Sequence, residues 1–92
     1  MLKDIPKIIG GAKTLFVAMD ETGFDSVLRD DREICIEFIS VCQYDPEEGF
    51  YLFGCDKDFN THTDFYYDTL DDALNDAKRI YQLDNIEWTQ IN

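Results

Sequence analysis

Hydrophobic and polar positions alternate along most of the chain, and this alternation predicts a β-sheet. The alternating runs are rich in β-branched and aromatic residues, and polar or glycine-containing segments separate them. They comprise residues 13–19, 24–28, 33–44, 50–55 and 63–68, with a shorter run at 86–91. We therefore expect an antiparallel meander of about five strands, followed by a short last strand.

Two segments carry the residues that reverse a chain. In residues 45–49 (Asp-Pro-Glu-Glu-Gly), proline fits position i+1 of a type I turn and glycine accepts the left-handed conformation, so a hairpin is predicted. Residues 20–23 (Asp-Glu-Thr-Gly) predict the turn between the first two strands. Near the N-terminus, Pro6 can open a short helical turn through Ile9, which the two following glycines would end.

Helical spacing occurs once, from Thr69 to about Gln82. Thr69 is a suitable N-cap, and Asp71 and Asp72 in the first turn complement the helix dipole. Apolar residues then recur on one helix face, at Leu70, Ala73, Leu74, Ala77, Ile80 and Tyr81. The predicted fold is therefore α+β, with one C-terminal amphipathic helix packed on one face of the sheet.

A helix of this length is about 21 Å long and covers one sheet face but not two. The strand over residues 33–44 is nevertheless apolar on both faces. We expect Ile39 and Val41 on one face and a second set on the other, comprising Ile34, Ile36, Phe38 and Cys42. The second sheet face must then be covered by the N-terminal segment, by a partner or by a second copy of the chain.

The composition is that of one folded domain spanning residues 1–92. Hydrophobic residues make up 45% of the chain and aromatic residues 14%, which argues against intrinsic disorder. The longest uncharged apolar run, residues 14–19, is far shorter than the ~20 residues of a membrane span. Residues 1–11 also lack the apolar stretch of a signal peptide. We therefore expect a cytoplasmic protein.

The net charge of −12 limits the classes of partner. Residues 1–19 are weakly basic, and 19 of the 20 acidic residues follow them. Such a surface repels nucleic acids and anionic membranes, whose phosphates require Lys and Arg. It attracts basic proteins and speeds their encounter. The alternative is that the acidity only provides solubility.

No pattern of catalytic or metal-binding residues stands out. Asp56, Asp58 and Asn60 have the spacing that opens a calcium loop, but Thr61 and Tyr67 stand where that loop needs glycine and glutamate. A polar loop in which Asp and Asn cap their own backbone is the expected structure. His62 and Asp64 would share a face of an extended strand, but one histidine and one carboxylate are too few ligands for a metal site. We expect no enzyme, no cofactor and no metal.

The three cysteines, Cys35, Cys42 and Cys55, lie in apolar runs too far apart for a metal knuckle. Buried free thiols that behave as small hydrophobic side chains are therefore expected at all three positions.

The strands also carry an unusual number of aromatic residues. By alternation, Phe50 and Leu52 take one face and Tyr51 and Phe53 the other, and Tyr66 likewise opposes Phe65 and Tyr67. A register slip of one residue exchanges the two sets, and we expect Tyr51, Phe53 and Tyr66 on the face away from the helix. Acids beside them provide a polar rim, at Glu37, Asp64 and Asp68. Aromatic residues within a polar rim have the composition of a protein interface, so these six residues are the predicted protein-binding site. The alternative is an ordinary core beneath the N-terminal segment.

The C-terminal third also resembles known small proteins. A predicted strand is followed by a helix-like segment, a tyrosine and a short tryptophan-containing segment. These are residues 68–78 (Asp-Thr-Leu-Asp-Asp-Ala-Leu-Asn-Asp-Ala-Lys), Tyr81 and residues 86–88 (Ile-Glu-Trp). This order resembles the end of several small acidic bacterial families, some of them immunity proteins that neutralise a toxin and others uncharacterised α+β domains. The resemblance implies a bacterial domain that inhibits a basic toxin. The alternative is a structural or regulatory homodimeric domain without catalysis.

Overall fold

The computed structural model describes residues 5–20, 22–45 and 48–91. It is mainly an antiparallel sheet with the strand order β1-β2-β5-β6-β7, to which β8 adds beside β2. The elements are β1 (Ile8–Ile9), β2 (Ala12–Met19), β3 (Asp25–Arg29), β4 (Arg32–Ile36), β5 (Phe38–Gln43), β6 (Phe50–Cys55), β7 (Thr61–Tyr67), α1 (Leu70–Ile80) and β8 (Thr89–Gln90). The α+β class and the C-terminal helix are as predicted, but the sheet curls into a half-barrel and is not a simple meander.

The turn predicted at residues 20–23 is present, because Gly23 N donates to the Asp20 carbonyl at 2.9 Å, but it does not join two paired strands as expected. Asp20 N donates to the Glu37 carbonyl at 3.0 Å, and Phe24 N donates to the Ile36 carbonyl at 2.7 Å. β2 and β3 therefore run along the same partner segment, and Thr22 and Gly23 lie outside the strand pairing. The Asp20 carboxylate accepts hydrogen bonds from the backbone N–H and the hydroxyl of Thr22. Aspartate side chains commonly make such contacts with their own backbone in turns.

The chain reverses instead at Asp30 and Asp31, between the paired residues Arg29 and Arg32. Both aspartates have positive φ, 52° and 64°, as a two-residue type I′ hairpin loop requires. From this hairpin the Arg29 guanidinium donates to the His62 carbonyl on β7 at 2.6 Å. The β3–β4 hairpin thus curls back to the far edge of the sheet, which produces the half-barrel.

The two chain ends also differ from expectation. Ile8 and Ile9 pair with β2 and do not form a helical turn, because Gly10 and Gly11 both adopt positive φ, 59° and 83°, and reverse the chain. The last strand is only two residues long and pairs with Phe16 and Val17. The 45–49 hairpin joins β5 and β6, which are antiparallel as predicted. Pro46 and Glu47 of that turn lie outside the described residues.

The helix matches its predicted face. Thr69 caps it by accepting a hydrogen bond from Asp72 N at 3.1 Å, and Ala73 and Ala77 are fully buried. The core on this side of the sheet contains Ala18, Ile36, Ile39, Val41, Leu52, Ala73, Ala77 and Tyr81, with Leu70, Leu74 and Ile80 packed at its margin. Within the described residues, no helix is long and apolar enough to cross a membrane.

The opposite face of the sheet carries a second core. Its buried members are Ile9, Ala12, Val17, Phe38, Cys42, Phe53 and Cys55. Ile5 and Ile9 from the N-terminal segment, Phe59 from the β6–β7 loop and Ile91 contribute to covering it. Ile36 does not share this face with Phe38 as predicted, because the strand is interrupted and bends at Glu37.

Candidate functional site

Three of the six predicted site residues form one aromatic cluster on the face away from the helix. Tyr51 lies opposite Tyr66 in the β6–β7 register, and their ring centroids are 5.2 Å apart. Tyr51 also contacts Phe53 at 6.0 Å and Tyr44 at 5.1 Å. The alternation of side chains along β6 and β7 therefore places Tyr51, Phe53 and Tyr66 together, as the sequence predicts.

The members of this cluster differ in exposure. Phe53 is only 4% exposed and belongs to the second core, where a Cβ added at Gly10 would lie 3.3 Å from its ring. Tyr51 is half-buried, whereas Tyr66 is 54% exposed. The N-terminal segment therefore removes Phe53 from the surface, and Tyr66 is the aromatic residue of the three that a partner can reach most fully.

Tyr66 is exposed but held in place. Its phenol ring lies over Gly49, so close that a Cβ at position 49 would overlap the ring. Tyr51 contacts the same ring at a steep angle. An aromatic side chain that is held before binding loses less entropy when a partner covers it. The sequence indicated Gly49 as a turn residue, but alternation gave no sign of its contact with Tyr66.

Two of the predicted acids lie beside Tyr66, and one does not. Asp64 is exposed and opposite Phe53 in the register, and Asp68 is exposed just after β7 ends. Glu37 lies at the β4–β5 bend, where its backbone N donates to the Cys55 carbonyl. Cys55 is four residues from Tyr51 along β6, or about 13 Å at 3.3 Å per residue. Glu37 therefore does not border the aromatic cluster.

An exposed surface, which we call the β7 surface, remains along the last strand of the sheet. It consists of Asp64, Phe65, Tyr66 and Asp68. Phe65 is 40% exposed, although both sheet faces have cores of their own. Alternation along β7 assigned Phe65 to one face of the sheet but could not show that its side chain is exposed. This exposure depends on the position of β7 at the sheet edge, which the strand order determines.

A hydrogen-bonded loop leads into β7. The Asp56 carboxylate accepts hydrogen bonds from Asp58 N at 2.9 Å, Asn60 N at 3.0 Å and the Asn60 side chain at 3.2 Å, and it pairs with His62 Nε2 at 2.9 Å. Burial raises the pKa of Asp56, but the hydrogen bonds from His62, Asn60 and Asp58 outweigh burial and lower it overall. These contacts are those of a self-capped polar loop. The described residues include no group of three or more His, Cys, Asp or Glu side chains that could hold a metal ion.

A second group of polar residues joins β7 to the helix. Tyr67 donates from its hydroxyl to Asp76 at 2.5 Å, and Arg79 forms a two-point contact with the same carboxylate. The hydrogen bond from Arg79 and that from Tyr67 lower the pKa of Asp76. These residues, with Asp72 and Asn75, line an open depression of about 460 Å³ at the end of β7.

The thiols do not form a reactive site. Cys42 and Cys55 are buried, and burial raises the pKa of Cys55 to about 12, which disfavours the nucleophilic thiolate. Cys35 is exposed, so the expectation that all three thiols are buried is wrong for this one. Desolvation and the carboxylates of Glu37, Asp20 and Glu33 raise its pKa as well.

Comparison with known proteins finds no match. No family model, no curated protein and no solved structure is similar to this chain. The resemblance of the C-terminal third to small acidic immunity proteins therefore stays a prediction.

Proposed function

We propose that this domain binds a basic protein through the β7 surface, in the way that an immunity-type inhibitor covers a basic toxin. The observation that carries the proposal is the exposure of Phe65 and Tyr66 between Asp64 and Asp68. Both faces of the sheet bury apolar residues in cores of their own, so these two aromatic side chains are not required to complete either core. Exposed aromatic residues within an acidic rim are typical of protein interfaces.

Charge supports the same type of partner. The chain carries a net charge of −12, and the helix beside β7 adds Asp71 and Asp72 in its exposed first turn. A basic partner would be steered towards this side of the molecule, and association would slow as salt screens the charges. Self-association through the same surface is disfavoured, because it would bring Asp64 and Asp68 of two copies together.

The proposal is tested by affinity capture from the native host, followed by titration of the captured protein after purification. We expect a basic protein whose affinity falls between about 50 and 500 mM salt, where the Debye length shortens from about 14 to 4 Å. The variant Asp64→Asn/Tyr66→Ala/Asp68→Asn should lose binding while keeping the thermal stability of the wild type.

Two matched controls test whether the β7 surface itself is responsible. Asp84→Asn removes an exposed acid elsewhere, and Leu28→Ala removes a side chain that is 76% exposed at the β3–β4 hairpin. Both variants should bind as the wild type does. If the captured protein binds the triple variant with undiminished affinity, its binding site is elsewhere and the proposal fails.

A further inference from the structure

The sheet has two outer edges, and they differ in what covers them. The outer edge of β2 pairs with β1 at Lys13 and Ala12 and with β8 at Phe16 and Val17. β7 pairs with β6 on one side, and among the described residues no strand pairs with its other side. An exposed strand edge presents unpaired N–H and C=O groups to which another strand can add.

One end of this open edge is already occupied within the chain. His62 lies at the irregularity in the β6–β7 register, where Gly54 pairs with Thr63 and Cys55 with Thr61. Its carbonyl accepts the hydrogen bond from Arg29. From Thr63 onwards the register is regular to Tyr67, so an incoming strand has an uninterrupted stretch of five residues to pair with.

The side chains along this stretch are acidic and aromatic. Asp64 and Tyr66 point to the face away from the helix, and Phe65 and Tyr67 point to the helix side. At the end of the stretch lies the depression lined by Tyr67, Asp72, Asn75, Asp76 and Arg79, in which Arg79 pairs with Asp76. A cationic side chain of an added strand would meet Asp64 on one face or Asp72 on the other.

We propose that the partner adds an extended, basic segment to the open edge of β7, along Thr63–Tyr67. This inference rests on the proposed function and specifies how the β7 surface is used. Charge selects a basic strand over a second copy of this chain, because self-pairing of β7 would place Asp64 and Asp68 of both copies on one short interface. Acidic residues on an edge strand thus oppose self-association while favouring a basic segment.

The experiment uses a synthetic peptide of alternating lysine and valine, titrated into the full chain at low salt. A second peptide of the same sequence has its backbone amides N-methylated, which preserves charge and side chains but removes the hydrogen-bond donors. Binding is followed by calorimetry and by residue-resolved amide hydrogen exchange. We expect the methylated peptide to bind at least about ten-fold more weakly, because strand addition depends on main-chain hydrogen bonds.

Hydrogen exchange identifies where the peptide binds. We expect amides of Thr63–Tyr67 to gain protection at alternate positions, because only every second N–H of an edge strand points outwards. Asp64→Asn should weaken the unmethylated peptide, whereas Asp84→Asn should not. Together these results would support strand addition.

Three outcomes overturn the inference. If both peptides bind equally and binding still depends on Asp64, the surface binds basic segments through side chains, and the proposed function survives without strand addition. If neither peptide binds, a basic strand is not the ligand of this edge, and the capture experiment then decides the proposed function on its own. If β7 amides become protected without peptide as protein concentration rises, a second copy occupies the edge.

Discussion

The two outer edges of the sheet differ in how their backbone N–H and C=O groups are covered. The edge of β2 is covered by segments from both ends of the chain, β1 and β8, although each contributes only two strand residues. On the outer edge of β7, Arg29 hydrogen-bonds to the His62 carbonyl, no described strand pairs with this edge, and Asp64, Phe65 and Tyr66 are exposed. Neither edge is left as a flat, apolar template for aggregation. We infer that the β2 edge is closed for stability and the β7 edge is kept for a partner.

The largest expected effect comes from breaking the closed edge. Ile9→Ala removes a side chain that is 2% exposed and belongs to the second core. We expect a loss of about 2–5 kcal/mol in the free energy of unfolding, the usual range for Ile to Ala in a core. Ile8→Ala is the matched control, because the Ile8 side chain, next to Ile9 in β1, is 59% exposed. Chemical denaturation of both variants measures the difference, and equal losses would show that β1 does not close this edge.

Gly54→Ala strains the pairing that supports the open edge. A Cβ at position 54 would overlap Thr63 Oγ1 and lie 3.1 Å from Tyr81 Oη. Thr63 is stiff because it is β-branched, so we expect a loss of about 1–3 kcal/mol. The double variant Gly54→Ala/Thr63→Ala should lose less than the two single variants added together, since it removes the obstructing hydroxyl. Strict additivity in denaturant unfolding would show that this contact does not limit the packing.

The loop that leads into β7 should respond to pH. The pKa of Asp56 in the folded protein is below the ordinary value of 3.8 for an aspartate, because burial raises it less than the hydrogen bonds from His62, Asn60 and Asp58 to its carboxylate lower it. The contribution of this carboxylate to stability is therefore present above pH 3.8 and is lost as the pH falls through the folded pKa. The free-energy difference between wild type and Asp56→Asn should therefore shrink below about pH 4. The pKa values of Asp20 and Asp76 are also lowered, but these groups remain in both proteins. A pH-independent difference in unfolding free energy would contradict the role of the Asp56 carboxylate.

The smallest expected effect is a gain in stability at the hairpin that carries Arg29. Asp31 has φ of 64°, a conformation that glycine adopts without steric cost. Asp31→Gly should stabilise the protein by about 0.5 kcal/mol. We expect the steric strain that glycine removes at positive φ to exceed the conformational entropy that it adds to the unfolded chain. Asp31→Asn removes the same charge but keeps a side chain, and it separates backbone relief from electrostatics. If both variants gain equally in thermal melting, charge and not φ is the cause.

The sequence was most informative where one local property decides the structure. Thr69 and the recurring apolar residues from Leu70 predicted the helix and the face it buries. Alternation along β6 and β7 predicted that Tyr51 and Tyr66 share the face away from the helix. The helix prediction depends on helical periodicity alone, whereas the strand prediction also needed the register between β6 and β7.

Predictions failed where the structure depends on distant partners. Residues 20–23 form a turn, yet the Glu37 and Ile36 carbonyls hold both ends of this segment along β4 and β5, so no hairpin follows. Phe53 was assigned to the correct face, but only the fold of the N-terminal segment over it shows that it is buried. The exposure of Phe65 likewise follows from the strand order and from no local pattern.

Amide hydrogen exchange on the free protein tests the contrast between the two edges most directly. The amides of β2 should exchange slowly on both sides of the strand, including those near Phe16 and Val17 beside β8. In β7, alternate amides between Thr63 and Tyr67 should exchange rapidly, because their N–H groups point to an uncovered edge. Uniformly slow exchange along β7 at low protein concentration would mean that this edge is already covered, and it would contradict the account.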